Sequence, residues 1–226
     1  MKDVAARLGL VRDRIAGACA RAHRDPGSVC LVAVSKTVPV EVVAAAMAAG
    51  QVVFGENRVQ EAQQKFAGAG PKARWHLVGH LQKNKAKQAV GAFELIHGID
   101  DFDLAAEVDR RAAERRLRQP VLVQANLAGE DTKHGAAEDA LMPLLAAVAA
   151  LPHLHLRGLM IIPPPTDPER SRPWFRRLRE LRDRAASRLR LPLPELSMGM
   201  TDDFEVAIEE GATMVRVGRA IFGERA

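Results

Sequence analysis

Residues 31–49 read LVAVSKTVPVEVVAAAMAA, a short apolar run followed by a longer stretch rich in alanine. In residues 31–36, apolar side chains fall on both alternating faces, which is typical of a parallel-sheet strand covered by helices. Residues 39–49 have the length and composition of a helix. The stretch therefore predicts one strand–helix unit of an α/β fold.

The same unit recurs along the whole chain. Strands are predicted over residues 31–36, 52–55, 75–79, 95–99, 121–127, 156–162, 194–198 and 214–218. Helices are predicted over residues 3–23, 39–49, 58–67, 82–91, 103–117, 136–150, 168–190 and 202–210. Eight strands with helices between them favour one closed (β/α)8 barrel of the TIM type over residues 1–226, with an extra N-terminal helix. An open doubly wound sheet is disfavoured because no strand is followed by a Gly-rich dinucleotide-binding motif.

Composition and charge exclude several classes of protein. With 226 residues, 47% of them hydrophobic, the chain can bury a large core, which excludes a disordered or fibrous protein. The net charge of +5 comes from arginines spread among acidic residues on predicted helices, so we expect no nucleic-acid partner. The longest apolar run, residues 141–151, is too short to cross a bilayer, and the charged N-terminus has no signal-peptide core. We therefore expect a cytoplasmic protein without a membrane partner.

Lys36 is the first candidate for chemistry because it ends the first predicted strand. Barrels of this kind carry their active sites at the C-terminal ends of the strands. Partial burial there would favour the neutral amine, which is the form that attacks a carbonyl group. The alternative is a lysine that only extends its charge to the surface at a strand end. The other seven lysines lie on predicted helices or loops and are weaker candidates.

Two further segments predict a phosphate site. Ser197, Gly199 and Thr201 lie just before a predicted helix and offer hydroxyl and backbone N–H groups. Alternation along residues 214–218 places Arg216 on the face opposite Val215 and Val217. If these valines face the helical layer, Arg216 points into the barrel, where a buried arginine needs an acceptor. Barrels often bind phosphate with the loops after strands seven and eight. Together with Lys36, this arrangement suggests a phosphorylated aldehyde or ketone as ligand.

Six segments in the same order resemble a known family. They are residues 34–37 (VSKT), 54–61 (FGENRVQE), 75–85 (WHLVGHLQKNK), 158–160 (GLM), 196–200 (LSMGM) and 215–223 (VRVGRAIFG). In register from about residue 30 to 223, the chain resembles the YggS/PROSC family of pyridoxal 5′-phosphate homeostasis proteins. That family is similar to the barrel domain of alanine racemase, without the second, β-rich domain.

The resemblance implies pyridoxal 5′-phosphate as the cofactor and assigns a role to each matching residue. Lys36 would form the covalent aldimine, and Arg216 would lie near the pyridine nitrogen. The other implied cofactor-binding residues are Asn57, His76, Met160, Ser197, Gly199, Met200, Thr201, Gly218 and Arg219. Thr201 and Arg219 depart from the commoner family residues, serine and threonine, so the role of Arg219 is the least secured by the match.

Other polar residues receive structural interpretations. His76 and His80 lie four residues apart near one predicted strand with no third ligand, so no metal site is predicted. Glu56 and Glu61 could form an acid pair. The simpler interpretation places Glu56 at a helix start and Glu61 in solvent.

Three functions fit these observations. The first is a carrier, monomeric or weakly dimeric, that binds pyridoxal phosphate and supplies apo-enzymes that need it. The second is a pyridoxal-phosphate-dependent enzyme acting on amino acids, a racemase or a related enzyme. The third is an aldolase that binds a sugar phosphate through Lys36. The sequence contains no tyrosine, which barrel-type racemases use as the second base opposite the lysine, so a non-catalytic carrier is favoured.

Overall fold

Eight parallel strands close into a barrel in the computed structural model, which describes residues 2–129 and 134–223. Including one strand outside the ring, the described residues form nine strands: β1 (Cys30–Val34), β2 (Val53–Glu56), β3 (Arg74–Leu77), β4 (Leu95–Ile99), β5 (Gln119–Asn126), β6 (Ala136–Ala137), β7 (Leu154–Ile161), β8 (Glu195–Ser197) and β9 (Met214–Val217). The ring runs β1-β2-β3-β4-β5-β7-β8-β9, and β1 pairs with β9 in parallel to close it. The two-residue β6 pairs with β5 outside the ring. The closed barrel is therefore confirmed.

Helices surround this ring in chain order. They are α1 (Lys2–Arg21), α2 (Val40–Ala48), α3 (Val59–Ala69), α4 (Ala86–Ala89), α5 (Phe102–Glu114), α6 (Glu138–Ala149), α7 (Pro168–Leu189), α8 (Phe204–Glu209) and α9 (Arg219–Phe222). Short 3-10 turns form over Pro26–Ser28 and Lys83–Lys85. Within the described ranges, no helix is both long enough and apolar enough to cross a bilayer.

The predicted element boundaries need three corrections. β1 ends at Val34, so Lys36 lies two residues past the strand instead of ending it. The helix predicted over residues 82–91 is a 3-10 turn followed by the one-turn α4, because the chain leaves the helix at Val90. The short elements β6 and α9 were not predicted, since two to four residues carry no readable periodicity.

Two apolar layers lie on the two sides of the barrel wall. Val32, Leu122 and Met214 belong to a cluster inside the ring, whereas Ala33, Val215 and Val217 belong to the larger core between strands and helices. Successive strand residues point to opposite sides, so one apolar run serves both layers. The extra helix α1 is confirmed, and it joins the outer core through the following buried residues: Val4, Leu8, Val11 and Ile15.

Candidate functional site

A cavity of about 410 Å³ opens at the C-terminal mouth of the barrel. This volume is within the range of small-molecule sites, roughly 300 to 1,000 Å³. Seven of the predicted site residues line it: Lys36, Asn57, Met200, Thr201, Arg216, Gly218 and Arg219. They come from the ends of different strands, and the closed ring brings them to one wall. Lys133, one of the weaker lysine candidates, lies outside the described residues.

The structure places the other four predicted residues beneath or behind this wall. Met160 is fully buried in the cluster inside the barrel. Gly199 has φ +89°, and a Cβ there would lie 2.6 Å from the Cβ of Ala207 and 2.8 Å from the Cα of Phe204. Glycine at position 199 thus lets the turn pack on α8. The remaining two, His76 and Ser197, belong to a buried hydrogen-bond chain described below, and the roles of all four towards a cofactor remain predictions.

The turn that carries Lys36 is held by a buried ionic cluster. Lys65 Nζ donates to the backbone oxygen of Ser35 at 2.6 Å and to Glu56 Oε1 and Glu61 Oε1, both at 2.8 Å. Ser35 Oγ donates to the same Glu56 oxygen at 2.6 Å, and the Thr37 N–H donates to Glu61. Backbone groups on both sides of Lys36 are therefore fixed by one cluster.

The interpretation of Glu56 and Glu61 as a helix-start residue and a solvent-exposed residue is wrong. Glu56 is fully buried, and burial raises the pKa of its carboxyl, although the bonds from Lys65 and Ser35 oppose this rise. Burial also acts to raise the pKa of Glu61, but the bonds from Lys65 and Thr37 outweigh it, so the pKa is lowered. Lys65 was overlooked because its position on a predicted helix does not reveal which face meets the barrel.

Arg216 is the buried cation of the cavity. Its Nη1 donates to Ser197 Oγ at 2.6 Å, and its Nη2 donates to the backbone oxygen of Ile161 at 2.8 Å. Burial lowers its pKa to about 10, with attraction from Asp203 opposing the change, so the guanidinium stays charged at neutral pH. Within the described part of the chain Arg216 forms no salt bridge. A cation held in this way favours an anionic or electron-rich ligand in the cavity.

A chain of hydrogen bonds continues from Arg216 into the barrel. His97 Nδ1 lies 2.9 Å from Ser197 Oγ, and His97 Nε2 lies 3.0 Å from His76 Nδ1. Each group can donate to the next, from Arg216 through Ser197 and His97 to His76. Burial lowers the pKa of His76 to about 4 and that of His97 well below its usual value, so both imidazoles are neutral at pH 7.

His97 was missed by sequence reasoning, although a signal for it exists. Alternation along β4 places Leu95 on the inside of the ring, and His97 two residues later falls on the same face. A polar residue on the inner face of an apolar strand marks a buried partner. The sequence does not show that the partner is Ser197, 100 residues away.

The loops after β8 and β9 meet at one side of the cavity. The Met200 N–H donates to Asp203 Oδ1 at 2.7 Å, which closes the turn before α8. Arg219 pairs with Asp202 across the two loops. A Cβ at Gly218 would lie 3.2 Å from the backbone oxygen of Val34, so glycine there allows a close approach to the end of β1. These contacts bring the predicted phosphate-binding segments next to the Lys36 turn.

Together, the fold and the site define a class: a parallel (β/α)8 barrel with a lysine and a buried arginine on the wall of one mouth cavity. The chain belongs to the family described as alanine racemase, N-terminal domain, whose sequence model matches residues 11–226.

Curated relatives and solved structures agree with this membership. The chain is 46% identical to the pyridoxal phosphate homeostasis protein of Aquifex aeolicus (strain VF5), over 97% of both chains. It is 42% identical to the protein of the same name from Escherichia coli (strain K12), over 100% of this chain and 98% of that one. PipY of Synechococcus elongatus PCC7942, solved with PLP bound, is 38% identical and superimposes with a TM-score of 0.87 over 97% of this chain and all of its own. The alanine racemase of Corynebacterium glutamicum (18% identity, TM-score 0.73, 99% of this chain and 62% of that one) shares the fold.

Proposed function

We propose that this protein binds pyridoxal 5′-phosphate in the mouth cavity and takes part in vitamin B6 homeostasis. The observation that carries the proposal is that Lys36 and Arg216 line the same cavity. A chain named for pyridoxal phosphate homeostasis, 46% identical to this one, supports it. An amine near a buried cation suits a ligand that joins an aldehyde to an anionic group. When bound, the cofactor supplies an aldehyde that exchanges reversibly between amines.

The residues of the cavity would divide the binding between them. The Lys36 amine would hold the aldehyde carbon covalently, with release of one water, while the cluster around Lys65 orients the turn. Arg216 would face the pyridine nitrogen and, as a cation, disfavour a proton there. The residues that would surround the phosphate or the ring substituents are Asn57, Met200, Thr201, Gly218 and Arg219. The residues that would support them from below are His76, Met160, Ser197 and Gly199.

The proposal extends to the setting in which the protein works. We propose one binding domain, active in the cytoplasm as a monomer or weak dimer, that passes the cofactor to apo-enzymes which require it. The transfer to apo-enzymes is supported by relatives that are named pyridoxal phosphate homeostasis proteins, because a store of a reactive aldehyde must exchange with its users.

Borohydride reduction of the protein loaded with pyridoxal phosphate tests the proposal. Reduction makes the linkage permanent, so peptide mapping should find a pyridoxyl phosphate mass on the peptide that contains Lys36. The Lys36→Ala variant should lose this label and the associated visible absorbance, whereas the matched control Lys83→Ala, at an exposed turn, should keep both. A label on Lys83 or Lys133, or no label at all, would contradict the proposal.

A further inference from the structure

The wall of the cavity opposite Arg216 carries a cluster of two histidines and an aspartate. His80 follows β3, Asp100 follows β4, and His134 precedes β6, so three separate loops supply the side chains. His80 Nδ1 lies 3.5 Å from Asp100 Oδ2, and His134 Nδ1 lies 3.8 Å from the same oxygen. One possible ligand atom from each of the three lies within 4.8 Å of the other two. His80 and His134 both line the mouth cavity.

We propose that His80, Asp100 and His134 form a binding site for a divalent first-row transition metal ion such as Zn²⁺. Two imidazoles and one carboxylate are a ligand set that such ions favour, with a remaining position left open. In a tetrahedral site with metal–ligand distances near 2.0 to 2.1 Å, neighbouring ligand atoms lie ~3.3 Å apart. The distances of 3.5 and 3.8 Å to Asp100 Oδ2 are close to that separation.

Asp100 provides the second, independent observation. Its side chain is only 10% exposed, and its Oδ1 is buried without a hydrogen-bond partner. Burying a carboxylate with an unsatisfied oxygen is costly unless a cation compensates it. Within residues 2–129 and 134–223, no lysine or arginine forms a salt bridge with Asp100. A metal ion bound between Asp100 Oδ2 and the two imidazoles would compensate the charge of this carboxylate.

The histidine rings require one adjustment to bind a shared ion. They stack with centroids 3.6 Å apart and planes 6° from parallel, so their nitrogen lone pairs do not converge on one point. We expect rotation of one ring about its Cβ–Cγ bond to bring its nitrogen towards the shared ion. The side chain of His134 is 58% exposed and has room to turn. Its backbone is held by Gln124, whose Nε2 donates to the His134 oxygen at 2.8 Å, so the loop stays near the site.

Glycines explain why the two strand ends on this side come together. A Cβ at Gly79 would lie 2.5 Å from the backbone oxygen of Asn57, and one at Gly98 would lie 3.1 Å from the oxygen of Gly79. The absence of side chains at both positions lets the chain pack tightly just before His80 and Asp100. The open coordination position would face the cavity, because both histidines line it, and would take a water molecule or an anionic group.

Calorimetric titration of untagged, chelator-treated protein with Zn²⁺ tests the site, without any added cofactor. The wild type should bind one equivalent, and Co²⁺ in its place should give the visible absorption of a protein-bound ion. His80→Ala, Asp100→Asn and His134→Ala should each weaken binding at least ~10-fold. The matched control is His153→Ala, which removes a half-buried histidine whose Nδ1 lies 3.5 Å from Asp109 Oδ2. Among the described residues this pair belongs to no cluster of three possible ligands.

Each outcome decides the proposal. His134 is the most exposed ligand, so His134→Ala should keep the thermal unfolding midpoint of the wild type, and this variant decides the test if Asp100→Asn does not fold. Wild-type protein that binds no stoichiometric Zn²⁺ overturns the site, and so does an affinity that His134→Ala leaves unchanged. An equal loss in His153→Ala would show unspecific binding by surface histidines and would also overturn it. Because the titration omits pyridoxal phosphate, its result is independent of the proposed function.

Discussion

Lys65 is the residue on which the geometry around Lys36 most directly depends. Its ammonium group forms salt bridges with both Glu56 and Glu61, and it also bonds the backbone beside Lys36. Removing one partner of a buried ion pair leaves the other charge uncompensated, which costs more than the pair contributes when intact. The position of Lys36 therefore depends on a residue 29 positions later, and this dependence can be measured.

Lys65→Met should lower the free energy of unfolding by about 3 kcal/mol, because it leaves the Glu56 carboxylate buried without a cation. Urea unfolding at pH 7 measures this loss. The double variant Lys65→Met, Glu56→Gln should recover part of the lost free energy of unfolding, since the charges of both Lys65 and Glu56 are then removed. Lys72→Met, at an exposed position, is the control and should change the stability by no more than about 0.5 kcal/mol. A Lys65→Met protein as stable as this control would refute the assignment.

His76 should make the protein sensitive to mild acid. Its pKa is about 4 in the folded protein and about 6.5 when unfolded, so below pH 6.5 the unfolded state takes up the proton first. The stability that His76 contributes is full above pH 6.5 and is lost as the pH falls towards 4. Between pH 7 and 5 this residue alone should cost about 2 kcal/mol.

Comparison of two variants separates the loss of stability caused by protonation of His76 from the loss caused by protonation of the buried carboxylates. His76→Gln should show a smaller loss of unfolding free energy between pH 7 and 5 than the wild type, by about 2 kcal/mol. His23→Gln, at an exposed position, should keep the wild-type dependence. Equal pH dependence in all three proteins would contradict the buried neutral state of His76.

At the scale of the elements, glycine has opposite effects in β7 and in α1. Gly158 in β7 has φ +155°, and a Cβ there would lie 1.9 Å from the backbone oxygen of Glu195, its partner in β8. Gly9 in α1 has no atom within 4 Å of such a Cβ. The absence of a side chain at Gly158 allows β7 and β8 to pair. Gly9 only adds conformational freedom to the unfolded chain.

Gly158→Ala should therefore destabilise the barrel by at least ~2 kcal/mol, because the β7–β8 pairing must shift. Gly9→Ala should stabilise the protein by about 0.5 to 1 kcal/mol, the usual gain from alanine inside a helix. Thermal or urea unfolding of both variants measures the two changes. The same sign for both substitutions would show that the local environment does not decide the outcome.

For the molecule as a whole, the proposed carrier role predicts binding without turnover of amino acids. Racemisation needs two placed groups, one on each face of the substrate, and the 226 residues include no tyrosine to act opposite Lys36. Arg216, which we propose faces the pyridine nitrogen, would add to this, because a cation there weakens the cofactor as an electron sink. Protein loaded with pyridoxal phosphate and incubated with L-alanine should yield no D-alanine above a Lys36→Ala control. Turnover on the order of 10 per second would instead indicate an enzyme.

The sequence by itself determined the barrel architecture and the placement of Lys36 and Arg216 at the candidate site. The alternation of apolar runs with helices gave the closed barrel, and strand periodicity placed Arg216 inside the ring and Lys36 near its mouth. These conclusions were accessible because the strand and helix repeats are local properties of the backbone, which a few consecutive residues reveal. The limits of β1 and α4 were less accessible, because tertiary packing decides where a short element ends.

Only the tertiary structure decided which polar groups meet. Lys65 reaches Glu56 and Ser35 from a helix, His97 bonds Ser197 across 100 residues, and His80, Asp100 and His134 converge from three loops. Periodicity tells on which face of an element a side chain lies, but not which residue faces it across the barrel. That choice depends on the register and closure of all eight strands, and so no local pattern in the sequence contains it.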